Sequence, residues 1–295
     1  MLVHADTGWE HPDTDRYVRD VLPSALGRRI EIVSSIPELD EEDLAVAEEV
    51  EGLLGRAEPS AYIRWMLRKR MFPSRVRAWC TGAIKIEPLH DFMSGIGRLI
   101  SAVGVRAGES RRRSQLGEWD MDSDGKDLVY PVWRPLIHWT EEDVIAYHHE
   151  HNLPINPLYT RGSARVGCWP CINSRKHEIA LLARTDPTRI EVIRRLEDHI
   201  SRRARERLKA RGKAVHHADG SVKFRSFFSN PRYRADAKEA IDRGLDPKAV
   251  VSAMAPIDRV IEWAQNDGEE AELESAITSC TRWGVCDLPD GGSDE

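Results

Sequence analysis

MLVHADTGWEHPDT, residues 1–14, reads as a strand, a turn and the start of a helix in direct succession. Residues 1 to 6 read as a short buried strand, and Asp6-Thr7-Gly8 as the turn leaving its end. Pro12 suits the first turn of a helix, where an amide hydrogen has no intrahelical partner and its loss costs nothing. Tyr17, Val18, Val21 and Leu22 then recur at three-and-four spacing and give that helix one apolar stripe. Ile30 to Val33 predicts a second strand and Leu99 to Val105 (LISAVGV) a third, with helical segments at residues 40 to 54 and 82 to 95. Strands alternating with helices predict an α/β fold, a mostly parallel sheet with helices on both faces.

Further along, Thr140 with Asp143 three residues on predicts a capping box. Val144, Ile145 and Tyr147 supply the apolar face of the helix it opens, which should stop before Pro154. Asp186-Pro187 is a second start signal, and Ile190, Ile193, Leu196 and Ile200 follow at helical spacing. From there the chain reads as mainly helical, apart from a hairpin turn at Asp219-Gly220 between His216-His217 and Val222-Lys223-Phe224. The organisation expected is a nucleotide-binding unit over residues 1–175, a helical extension over 176–267 and an acidic, cysteine-containing tail over 268–295.

With 295 residues, 41% of them hydrophobic, the chain can bury a substantial core. No run of eighteen apolar residues exists and the first residues carry neither a basic leader nor a long apolar segment, which predicts no membrane span and no secretory signal. Five cysteines, an odd number, fit a reducing compartment better than a disulfide framework, so a cytoplasmic location is expected. The net charge of -6 argues against coating nucleic acid with the whole surface. Arg202 to Lys213 is the local exception, with seven basic side chains around Glu206. A solvated helix face and a phosphate-binding surface for nucleic acid account for that run equally well.

Three polar clusters fall where loops leave strands, the usual ligand position in open parallel sheets. The first is Asp6-Thr7-Gly8, for which an ordinary, locally satisfied turn is the simpler reading. The second is Gly104, Arg106, Glu109 and Ser110 with Arg111, Arg112 and Arg113, and Lys85 nearby. Arginine forks suit phosphate or sulfate oxygens, although an Arg–Glu109 ion-pair network explains the same residues. The third is Tyr159, Arg161, Gly162, Arg165 and Gly167, which runs straight into Cys168-Trp169-Pro170-Cys171. Two thiolates separated by two residues can share one metal ion or cluster, and the spacing leaves zinc and iron–sulfur both open. Cys80 alone reads more simply as a small core residue.

In order, HADTGWEHPDT, RAWCTGAIKIEPL, VGVRAGESRRR, PLIHWTEEDVIAYHHEHNLPINPLY and RVGCWPC closely resemble the phosphoadenosine phosphosulfate (PAPS) reductase family of the adenine nucleotide alpha hydrolase-like, or N-type ATP pyrophosphatase, superfamily. The resemblance covers about residues 1 to 175 and is nearest to the cluster-bearing branch that includes phage and DNA-phosphorothioation proteins. It implies a five-stranded parallel sheet that binds an adenine nucleotide, either PAPS or ATP with magnesium. It also implies that Asp6, Thr7 and Gly8 contact the adenosine, and that Lys85, Arg106, Glu109, Arg113, Arg161 and Arg165 line the phosphate or sulfate side, with Gly104 and Gly162 beside them. Cys80, Cys168 and Cys171 resemble iron–sulfur ligands, with Cys286 or Cys280 as the fourth. Family members carry a further strand and a phosphate loop ahead of the DTG segment, and the chain opens without them; the loss of that central strand would leave unpaired edges on both of its neighbours. The Glu-Cys-Gly-Leu-His tail that bears the reductase nucleophile is also absent. The function implied is sulfonucleotide reduction with a thioredoxin-like reductant, or ATP-dependent adenylation with sulfur transfer from a donor; the alternative is a non-enzymatic nucleic-acid-associated component of a modification or phage-defence complex.

Overall fold

The structure is a computed structural model and describes residues 1–74, 77–125, 128–161, 163, 166–216, 220, 222–228, 244 and 256–265. Strand β1 (Leu2–Ala5) pairs in parallel with β2 (Ile30–Val33), from Leu2 opposite Ile30 to Ala5 opposite Val33. The crossover between them is α1 (Pro12–Arg16), a π-helical turn over Tyr17–Val21, and α2 (Leu22–Leu26), with Pro12 in the first turn of α1. Gly27 ends α2 at a φ of 57°, left-handed backbone that a Cβ would strain.

Helix α3 (Glu41–Leu53) starts where Asp40 accepts the amide of Asp43, and Glu41, Glu42 and Asp43 place negative charge at the positive end of its dipole. Ser60 caps α4 (Ala61–Lys69) in the same way through the amide of Ile63. The helix anticipated over residues 82–95 begins earlier, as α5 (Trp79–Thr81), a π-helical turn over Gly82–Ile86, and α6 (Glu87–Ser94). Cys80 therefore lies on a helix.

The third strand is far shorter than Leu99–Val105. Strand β3 is Ser101–Ala102 alone, paired in parallel with Val132 and Trp133, because the chain turns off after Val103 donates to the Trp133 carbonyl. Strands β4 (Trp119–Ser123) and β5 (Val129–Trp133) form an antiparallel pair that the sequence reading passed over, although β4 alternates apolar residues with aspartates. The described strands thus form two sheets, β1-β2 and β3-β5-β4, in place of one parallel sheet of five. Among the described residues β1 pairs with β2 alone and β3 with β5 alone. The fold is α/β with parallel pairing, followed by a mainly helical C-terminal region.

Helix α7 (Glu141–Glu150) opens on the Thr140–Asp143 capping box and stops before Pro154. Next come α8 (Pro157–Thr160), α9 (Lys176–Thr185) and α10 (Pro187–Ala210), the last capped by Asp186. Val222 bridges to His216 in antiparallel fashion, and α11 (Ile257–Gln265) is the final described helix. Trp9, Tyr62, Ile63, Met66 and Leu67 pack with Ile179, Leu182, Ile193, Leu196, Ile200, Phe227 and Val260 in a single core, so the C-terminal helices share it with the turn after β1. No described helix is long and apolar enough to cross a membrane.

Candidate functional site

The turn after β1 is held from several sides. Gly8 sits at a φ of 66°, and a Cβ there would lie 2.6 Å from the Ser60 Cα, so only glycine lets α4 approach this closely. The Thr7 carbonyl accepts the amide of Tyr62 at 2.9 Å, and the Thr7 hydroxyl donates to Glu10 at 2.5 Å. Thr7 is fully buried. The carboxylate of Asp6 accepts the Gly8 amide at 2.7 Å, closing an Asx-type turn, and pairs with Arg19 at 2.6 Å and Arg56 at 3.7 Å.

The cysteine loop is bonded directly to this turn. Cys168 bridges to Glu10, the Trp169 amide donates to the Trp9 carbonyl at 2.8 Å, and the Trp9 indole donates to the Pro170 carbonyl at 2.9 Å. Arg189 locks the arrangement from α10. Its guanidinium lies 4.8 Å over the Trp9 ring, donates to the Trp169 carbonyl at 2.8 Å and the Glu10 carbonyl at 3.5 Å, and pairs with Asp186 at 3.2 Å. Asp186 in turn accepts the Trp169 indole at 3.2 Å.

Cys80, Cys168 and Cys171 are half-buried and pack against the core that contains Tyr62. Burial pushes the Cys168 thiol up to about 11 against the pull of Lys85, and burial followed by the Cys171 charge raises Cys80, which Lys85 also opposes. Among the described residues, no three His, Cys, Asp or Glu side chains are grouped as ligands of a metal ion.

The anion-side residues lie on neighbouring loops. Arg113 pairs with Glu109, whose carboxylate also accepts the Arg106 amide at 3.3 Å. Tyr159 feels the charges of both Arg106 and Glu109 and accepts the Val166 amide, which joins the arginine loop to the approach to Cys168. Arg161 pairs with Asp13 on α1. Gly104 is exposed, with the Leu136 side chain 3.7 Å from where a Cβ would stand. Gly162, Arg165, Cys280 and Cys286 lie outside the described residues.

The structure also brings in residues that the sequence reading passed over. Glu10 orders the turn after β1, and the Thr7-x-x-Glu10 spacing, a capping-box pattern, was its available signal. Arg189 had none, because its partners lie about 180 and 20 residues away. The basic run divides. Arg202 and Arg203 pair with Asp40, Glu42 and Glu206, whereas Arg207, Lys209, Arg211 and Lys213 stand exposed.

A family model described as the phosphoadenosine phosphosulfate reductase domain matches residues 1–174. The chain belongs to that family. Among relatives of this PAPS reductase domain protein, an uncharacterized 37.8 kDa protein of Escherichia phage 186 is 34% identical over 205 residues, covering 60% of this chain and 61% of the relative. Adenosine 5'-phosphosulfate reductase of Lysinibacillus sphaericus is 39% identical over 92 residues, 31% of this chain and 37% of that enzyme. The chain therefore spans less than two thirds of the length of these relatives. The crystal structure of phosphoadenylyl-sulfate (PAPS) reductase from Candida auris in phosphate complex aligns with 57% of this chain and 69% of that chain, at 21% identity and a TM-score of 0.38.

Proposed function

We propose that this PAPS reductase-family protein binds an adenine sulfonucleotide and cleaves it reductively to sulfite. The observation that supports the reading is the bonding of the Cys168–Cys171 loop to the turn after β1, the strand end at which parallel sheets bind nucleotides. In this reading Asp6, Thr7 and Gly8 border the adenosine, with Gly104 and Gly162 leaving room for the backbone to approach it. Lys85, Arg106, Arg113, Arg161 and Arg165 neutralise phosphate and sulfate oxygens, and Glu109 orients Arg113.

The donor set fits an iron–sulfur cluster. Thiolates are the soft donors such clusters take, and Cys168 and Cys171 have the Cys-x-x-Cys spacing that serves them. Cys80, Cys168 and Cys171 would hold it, with Cys286 or Cys280 as the fourth ligand; zinc is the competing occupant. When bound, the cluster would supply a charged, redox-active centre beside the sulfate. The remaining tail thiolate would attack the sulfate sulfur, the bond to the nucleotide oxygen would break, and the nucleotide would leave with both electrons of that bond. A thiol of a thioredoxin-like dithiol would then displace sulfite from the thiosulfonate, and its second thiol would regenerate the free cysteine as the reductant becomes a disulfide.

The test supplies purified protein with PAPS, or with adenosine 5'-phosphosulfate, and reduced thioredoxin, and separately with ATP and magnesium. Sulfite release that is lost in Arg106→Ala is the expected result. Pyrophosphate release without sulfite would replace reduction by adenylation with sulfur transfer. Iron and acid-labile sulfide measured after anaerobic purification, with zinc alongside, check the metal; Cys80→Ser should lower iron content and visible absorbance.

A further inference from the structure

Helix α10 changes character at Glu206. Up to that residue its cations are matched: Arg194 and Arg195 pair with Glu191, Arg202 with Glu42 and Glu206, and Arg203 with Asp40 and Glu42. Beyond it the described residues as far as Phe228 hold no carboxylate, and Asp219, outside the described residues, is the one acid in that stretch of sequence. Alternating signs along a helix face mark a surface that needs only water, and that pattern stops here. The segment after α10 then doubles back and adds to the charge. The Lys213 amide donates to the Leu208 carbonyl at 2.9 Å and the Lys223 amide to the Val215 carbonyl at 2.9 Å. Arg205 donates to the Lys223 carbonyl at 3.3 Å, and the Arg225 amide donates to the Ser201 hydroxyl at 2.8 Å, so the returning segment lies along α10. The Lys223 ammonium bonds the Ala214 carbonyl at 2.9 Å. Where these cations have partners among the described residues, the partners are neutral carbonyls that leave the charge uncompensated. Burial, and after it the charge of Arg77 from the loop between α4 and α5, pull the Arg225 guanidinium below its ordinary value. Lys209 suits the negative end of the α10 dipole, but Lys223 and Arg225 come from outside the helix and serve no such role.

We propose that the face formed by Arg205, Lys209, Lys213, Lys223 and Arg225 is a docking surface for the phosphodiester backbone of a nucleic acid. Arg205 and Lys209 stand one turn apart on α10, ~6 Å along its axis, which spans two of the ~3.4 Å steps between phosphates of one strand. Asp198, exposed two turns before Arg205, and Glu206 mark the near limit of the face. The net charge of -6 on the whole chain disfavours a polyanion anywhere else. A membrane is a poorer occupant, because α10 turns Ile190, Ile193, Leu196 and Ile200 into the core, and Val222 is the one large hydrophobic residue exposed among the described residues after Pro187. An acidic protein is poorer for a related reason: protein interfaces are built on an apolar centre, whereas backbone phosphates need only charge. None of these residues belongs to the sulfonucleotide site proposed above, so either reading can fail alone.

Fluorescence anisotropy of the full chain with labelled duplex DNA, single-stranded DNA and RNA of mixed sequence tests this, and the three probes rank the sources of the backbone. Neutralising about five duplex phosphates gives a logarithmic salt slope of about -4.5, so affinity should fall roughly 500-fold between ~50 mM and ~200 mM salt. The double variant Lys209→Gln, Lys213→Gln, at two exposed positions, should reduce that slope by about 1.8 and weaken binding at the lower salt at least ~10-fold. Arg225→Gln, on the returning segment, should reduce the slope by about 0.9 and serves if the double variant fails to fold. Arg29→Gln, which removes an exposed cation paired with Glu31, should leave binding unchanged. Absence of binding to all three probes at ~50 mM salt overturns the proposal, as does a slope that neither patch variant reduces. Tighter binding of polyglutamate or of phosphatidylserine vesicles than of any nucleic acid at that salt assigns the face to an acidic protein or a membrane and overturns it too.

Discussion

Arg189 is buried to 4% exposure, and burial pulls its guanidinium below its ordinary value. It serves two carbonyls, one carboxylate and one aromatic face at once, which a lysine's point charge cannot reproduce. Arg189→Lys should therefore lower unfolding free energy in urea by ~2–4 kcal/mol, most of it from acceptors left unsatisfied away from water. If the proposed cluster is bound, the loss should come with weaker iron retention, because the carbonyl of Trp169 anchors the loop between Cys168 and Cys171. At Gly8 the argument is steric. Gly8→Ala combines left-handed backbone with a contact against Ser60 backbone that cannot swing away, so a cost of ~2–3 kcal/mol is expected by the same measurement.

Helices α3 and α10 are joined by charge as much as by apolar contact. His199 and Asp43, both buried, meet at 2.7 Å, and Arg203 spans Asp40, Glu42 and Asp43. Asp43→Ala leaves the histidine and the guanidinium facing each other without their carboxylate, and should cost ~3–5 kcal/mol by thermal or urea unfolding, well above an exposed pair. Arg202→Ala, more exposed, should cost under ~1 kcal/mol. Glu197 performs a related service for α11, accepting the Phe227 and Ile257 amides at 2.8 Å each.

Burial raises the Glu197 carboxyl from 4.5 to about 8, so between those values the folded chain keeps a proton that the unfolded chain has released. Its contribution is complete at low pH and fades as pH climbs toward 8. Stability should fall by on the order of 5 kcal/mol across that window. Glu197→Gln should flatten the slope while lowering stability at pH 5, since its amide nitrogen would face a backbone N–H.

At the scale of the whole molecule, one core crosses from the turn after β1 to α11. Trp9 stacks on Tyr62 and touches Phe227, and Phe227 in turn packs on Phe72 and Phe228. Cutting the chain after residue 175 would expose Trp9 and Tyr62 and remove Arg189, Leu196 and Ile200 from them. Such a fragment should lose cooperative unfolding and near-ultraviolet dichroism, whereas the full chain should melt in one step.

Local chemistry was legible in the residues themselves. Pro12, the Thr140–Asp143 box and Asp186-Pro187 mark helix starts because capping depends on neighbours within one turn, and Leu2–Ala5 and Ile30–Val33 announce strands by apolar content alone. The ordered phrases up to Cys171 carry the likeness to the family by themselves. What lay outside that range depends on partners distant in sequence. Whether Arg202 and Arg203 hold a phosphate or a carboxylate was decided by Asp40 and Glu42 on α3, about 160 residues earlier. The shortness of β3 and the division into two sheets follow from which edges find a neighbour, and Arg189's place over Trp9 follows from helix packing. Hydrogen bonds within a turn are written into consecutive residues, whereas those across a core exist only once the chain has closed on itself.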